Sequence, residues 1–117
     1  MAGVSQCFYL VIPDLARARG RIQALSFDGT SAESFAGELQ TALREPALTQ
    51  RWRAMQPDPD AIDEGLGACD PQASVVARQS DLHTNAQVTT TLSYALLKHR
   101  LDLLIGAHWS LRDVQAA

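Results

Sequence analysis

The segment PDPDAIDEGLGACDPQ, residues 57–72, gathers Asp58, Asp60, Asp63, Glu64 and Asp70 around Cys69, one of only two cysteines in the chain. Carboxylates at this density are the usual ligands of calcium or magnesium, and a thiol among them raises nucleophilic chemistry as well. The spacing speaks against a calcium loop, which needs acids at its first, third and fifth positions, Gly at the sixth and Glu at the twelfth. Counted from Asp58, the third position is Asp60, but Ile62, Asp63 and Cys69 fall at the fifth, sixth and twelfth. A magnesium site needs carboxylates converging from separate elements, which one loop does not supply. The segment therefore reads as a solvated Pro/Asp connector in which Asp58 or Asp60 caps a short helical turn. No metal and no cofactor is expected.

The remaining chemistry-bearing side chains are Cys7, His83, His99 and His108. They form no CxxC, HxxxH or HExxH pattern, so the local zinc signatures are absent. Cys7 lies in an apolar run and reads as a small buried hydrophobe. Cys69 is the more exposable thiol, but its acidic neighbours Glu64 and Asp70 disfavour a nucleophilic sulfur. A site assembled in three dimensions from Cys69, His83, His99 and His108 is the alternative reading, that of a small enzyme or ligand-binding domain. His99 falls on an otherwise apolar helical stripe, where a half-buried, hydrogen-bonded histidine is the ordinary outcome.

No GxSxG elbow, phosphate-binding loop or GxGxxG fingerprint is present. The helix start DGTSAES offers backbone N–H groups, but Asp28 and Glu33 already place negative charge there, so it reads as capped. ARARGR, residues 16–21, is the single basic cluster and lacks interleaved aromatics. The net charge of −3 argues against general nucleic-acid binding, which requires a basic field. Trp52 and Trp109 read as core anchors.

The elements that must position these residues follow from periodicity. QCFYLVI, residues 6–12, is an aromatic and β-branched run ended by Pro13, hence a buried strand. RIQALSF, about 21–27, fits a helical stripe through Leu15, Ala18, Ile22 and Leu25 that Gly20 weakens, and is assigned to a second strand because it runs into the Asp28-Gly29 turn. Thr30 stands three residues before Glu33, the capping-box spacing, and Phe35, Leu39 and Leu43 recur in steps of four. This predicts a helix over 31–44. Leu48, Trp52 and Met55 mark a second helix over 47–56, opened by Pro46. ASVVARQ, residues 73–79, reads as a third strand. Residues 86–97 fit strand or helix. The lack of any Gly, Pro or Asn from Ala86 to Ile105 favours a helix over at least 92–105, ended by Gly106.

At 117 residues the chain makes one domain over 1–117, with 57–72 as a connector inside it. The expected fold is α+β, about three strands packed against two to three amphipathic helices. No apolar run reaches the roughly 18–20 residues needed to cross a bilayer, and the amino terminus lacks a basic leader. No membrane partner is expected, and the chain reads as cytosolic. Nine arginines against one lysine, with eighteen alanines, suggest a bacterial origin. Read as a helix from Val88, the last long segment carries two apolar faces. The face made by Tyr94, Leu97, Leu101, Leu104 and Ile105 is assigned to a partner, most simply a second copy in a homodimer, with burial inside the chain's own layers as the alternative. Function is accordingly expected to be that of a non-enzymatic interaction, adaptor or assembly module.

Overall fold

The computed structural model describes residues 4–117 and is α+β, with four antiparallel strands in one sheet and three helices. In chain order these are β1 (Gln6–Ile12), α1 (Ala32–Arg44), α2 (Ala47–Ala54), β2 (Ser74–Ser80), β3 (His83–Thr90), α3 (Tyr94–Ile105) and β4 (Ser110–Ala116). The sheet order is β2-β3-β1-β4, so β3 separates β1 from β2 and β1 separates β3 from β4. With helices after β1 and β3, this is the split βαβ connectivity, βαββαβ.

Alternation along β1 turns Phe8, Leu10 and Ile12 to one face, and Ala86 and Val88 of β3 join them. Phe35, Leu39 and Leu43 of α1 and Leu97, Leu101, Leu104 and Ile105 of α3 close this core. Each such side chain contributes roughly 1.5–3 kcal/mol by leaving water. The shortest extent of the molecule is 19 Å, enough for a sheet and one helical layer. Among the described residues, no helix covers the other sheet face, which carries Tyr9, Val76, Asn85 and Gln87.

β1, α1 and α2 lie where periodicity placed them, and 73–79 is a strand. Four expectations are corrected. Residues 21–27 do not join the sheet. Turns from Ile22 fold this segment onto the end of α3, where the Phe27 N–H donates to the Leu104 carbonyl at 2.8 Å. Phe27 is buried against that helix end and Leu25 is buried two residues before it, a spacing that imitates the two-residue period of a strand. Gly20 permits the approach, since a Cβ would run into the Leu103 carbonyl, and Gly106 caps α3 with φ +63. The N-cap of α1 is Ser31, whose Oγ accepts from the Ser34 N–H at 3.0 Å, one residue past the expected Thr30. Residues 83–90 are strand, and α3 begins only after Ser93, whose side chain accepts from the Leu96 N–H. Finally the sheet has a fourth strand, β4, where none was expected.

Candidate interaction surface

The acidic connector forms two one-turn 3₁₀ segments, Pro59–Ala61 and Glu64–Gly67. Asp58, Asp60, Asp63 and Glu64 are exposed, and the capping oxygen comes from Asp63, which accepts from the Gly65 N–H at 2.9 Å, in place of Asp58 or Asp60. Asp70 differs. It is buried, and its carboxylate accepts from the Thr90 hydroxyl (2.9 Å), the Thr91 N–H (2.9 Å) and the Gln72 N–H (3.0 Å). Burial works against its charge, but these hydrogen bonds prevail and hold the carboxyl below its ordinary range. Asp70 thus ties the connector to the junction of β3 and α3. Among the described residues, no group of three or more His, Cys, Asp or Glu side chains is placed to hold a metal ion.

The candidates for a catalytic assembly are not all together, His83 standing apart from Cys69. Asp70 touches the Thr90 end of β3, which places adjacent Cys69 there, whereas His83 starts the strand about 24 Å away at ~3.4 Å per residue. His108 is exposed after α3. His99 packs its ring edge-on to Trp52, with centroids 4.5 Å apart, and neither ring nitrogen has a partner. Burial, with Arg100 adjoining, lowers its pKa. Arg100 is fully buried, donates to the Ala68 and Leu96 carbonyls, and leaves its Nε unpaired. Cys69 lies beside that guanidinium, and burial lowers the arginine's pKa. This cluster sews α3 to the connector. The basic run is also divided: Arg19 donates to the Leu15, Ala18 and Gly29 carbonyls and stacks on Phe27, while Arg17 and Arg21 remain at the surface.

The α3 face assigned to a partner lies mostly inside the molecule. Leu97, Leu101, Leu104 and Ile105 are buried in the chain's own core, because the strand β3 and the segment 21–27 supply material for both sides of α3. Tyr94 alone of the five remains exposed, and it belongs to a different surface. It stacks on Phe8 and meets Trp109 edge-on, at 6.2 and 6.3 Å between centroids.

That surface continues onto β4. A β-bulge between Tyr9 and Leu10 of β1 leaves Leu111 opposite Leu10 and Val114 opposite Phe8, with Arg112 as the extra residue. Leu111 and Val114, three apart in sequence, therefore share the helix side of the sheet. Arg112, Asp113 and Gln115 line the bare face, a shallow concavity of about 960 Å³ around Tyr9. Among the described residues, no helix packs on β4 as α1 packs on β2, and all seven β4 residues are exposed, Leu111 by 36% and Val114 by 38%.

The two sheet edges are treated differently. At β2, the Gln40 side chain accepts from the Val75 N–H at 3.1 Å and Arg44 Nε donates to the Ala73 carbonyl at 2.7 Å, so α1 obstructs the start of that edge. Among the described residues, no side chain from another element bonds the β4 backbone. The Val114 N–H is met only by the neighbouring Asp113 carboxylate, at 2.9 Å. Sequence reading missed this edge because the bulge hides its alternation. No family model, curated protein or solved structure matches this chain.

Proposed function

We propose that this chain is a non-enzymatic interaction or assembly module of a bacterial cytosol, whose protein partner adds an extended strand along β4. The observation that carries the reading is the β4 edge, unbonded by any other element among the described residues, with Leu111, Val114 and Tyr94 exposed beside it, on a molecule whose opposite edge is obstructed by α1 at its start. Strand addition takes main-chain affinity from such an edge and specificity from the side chains flanking it. The alternative, an enzyme built on Cys69, His83, His99 and His108, is disfavoured by the distance along β3 and by the exposure of His108. A cytosolic location accords with the unpaired cysteines Cys7 and Cys69, and no helix among the described residues is long and apolar enough to cross a membrane.

The test is selection from a displayed library of random octapeptides, with binding mapped by backbone amide shifts. Binders should perturb Leu111 to Gln115 together with Tyr94, and Val114→Pro should abolish them. Binders that map only to the bare face or to the connector would refute the reading.

A further inference from the structure

We infer that the strand added along β4 is β4 of a second copy, paired antiparallel about a two-fold axis that passes between Arg112 and Asp113. This rests on the reading of β4 as the interaction edge and goes further by naming the partner. The support is self-complementarity. In that register Arg112 lies opposite Asp113 of the second copy and Asp113 opposite its Arg112, giving two cross-strand ion pairs. Leu111 meets the second copy's Val114, and Val114 its Leu111, giving two apolar pairs flanking the charges.

Such a register fails on a regular strand. Residues three apart point to opposite faces, so Leu111 and Val114 could not pair on one side. The bulge removes the obstacle, because it sets both on the helix side while Arg112 and Asp113 both line the bare face. Edge bulges ordinarily discourage strand addition by twisting the edge away. Here the bulge instead sorts the edge into an apolar side and a charged side that each match themselves under a two-fold rotation. The hydrogen bonding agrees with this arrangement. In the single chain the Val114 N–H turns to Asp113 and the Gln115 side-chain amide donates to the same carboxylate at 2.9 Å. Pairing would hand the Val114 N–H to the Leu111 carbonyl of the second copy and release Asp113 for the opposing guanidinium. Tyr94, exposed by 40% and stacked behind Phe8, would extend the apolar contact.

The test is a charge exchange read by sedimentation velocity from 5 to 500 µM. Wild-type protein should show a concentration-dependent monomer–dimer equilibrium. Arg112→Asp and Asp113→Arg, each alone, place like charges opposite one another at two positions and should weaken dimerisation at least about tenfold. An equimolar mixture of the two variants should regain it as a heterodimer, since each supplies the charge the other lacks. Both side chains are exposed, and unchanged circular dichroism will confirm that the variants fold. Wild type that stays monomeric at 500 µM, single variants that dimerise like wild type, or a mixture that does not associate would each overturn the inference. If wild type stays monomeric while selected octapeptides still map to β4, the second copy is excluded and strand addition stands; peptides mapping elsewhere refute both.

Discussion

Asp70 offers the sharpest test of how the connector is held. Its carboxylate accepts three hydrogen bonds at 2.9–3.0 Å from one buried position, two of them from backbone N–H groups. Asp70→Ala strands the Gln72 and Thr91 N–H groups and the buried Thr90 hydroxyl together. Hydrogen bonds to a charged group contribute about 1.5–3 kcal/mol each, but the stranded donors recover part of that through water. A net loss of about 3 kcal/mol is expected, or roughly 10–15 °C in Tm for a chain of this length. The pH dependence adds a second arm. The folded carboxyl titrates below its unfolded value, so Asp70 stays ionised in the native state where the unfolded chain has already taken up a proton. Its contribution is full above pH ~4, the unfolded carboxyl value, and is lost as pH falls through the folded one. The gap between the thermal melts of wild type and Asp70→Ala should narrow as pH falls from 7 to 2.5. Equal Tm values at pH 7, or a gap unchanged at pH 2.5, would refute this account of the anchor.

Two other outcomes follow from single contacts. Ser31→Ala should cost about 1 kcal/mol in a urea or thermal melt, because Ser31 caps α1, while exposed Thr30→Ala should stay within ~0.5 kcal/mol; the reverse order would restore the Thr30 capping box. His99→Phe keeps the ring against Trp52 and removes two unpartnered nitrogens, so it should stabilise the protein by ~1 kcal/mol at neutral pH. Because the pKa of native His99 is lowered, wild type loses stability as pH falls below the unfolded histidine value near 6.5, and the variant should lack that slope down to pH ~5; parallel melting curves would count against it.

Legibility tracked how local the determinants are. β1 and α1 announce themselves through a dense apolar run and a four-residue stripe, signals that need no knowledge of the rest of the chain. β3 was obscured because its hairpin turns at Asp81, a residue at φ 50 in place of the usual glycine, and because Thr90 and Thr91 lead into the Ser93 cap without a breaker. β4 was hidden by its own bulge: SLRDVQA has apolar residues three apart, which matches neither a strand nor a helix stripe until β1 supplies the register. The same non-local dependence misplaced the α3 face. Leu97 and Leu101 look surplus to a helix that needs one apolar side, and only the sheet below and the folded 21–27 segment above show that both sides are used.

The unequal edges bear on what assembly this fold can support. A sheet with two free edges can add strands at both ends and grow without limit, the route to fibres. Here Gln40 and Arg44 occupy backbone groups at the start of the β2 edge, so growth there meets an obstacle supplied by α1. The edge left open carries one basic and one acidic side chain next to each other at its bulge, a pattern satisfied by its own inverse. Pairing of this kind is isologous: it consumes the β4 edge of both copies at once and leaves outside only the β2 edges, each obstructed at its start. A continuous eight-stranded sheet would result, with the helices of both copies on one side and their bare faces joined on the other. In the proposed dimer, closure at two copies would rest on the self-complementary edge of β4 and the side-chain plug at the start of β2, and exchanging those features would turn the same fold toward open-ended association.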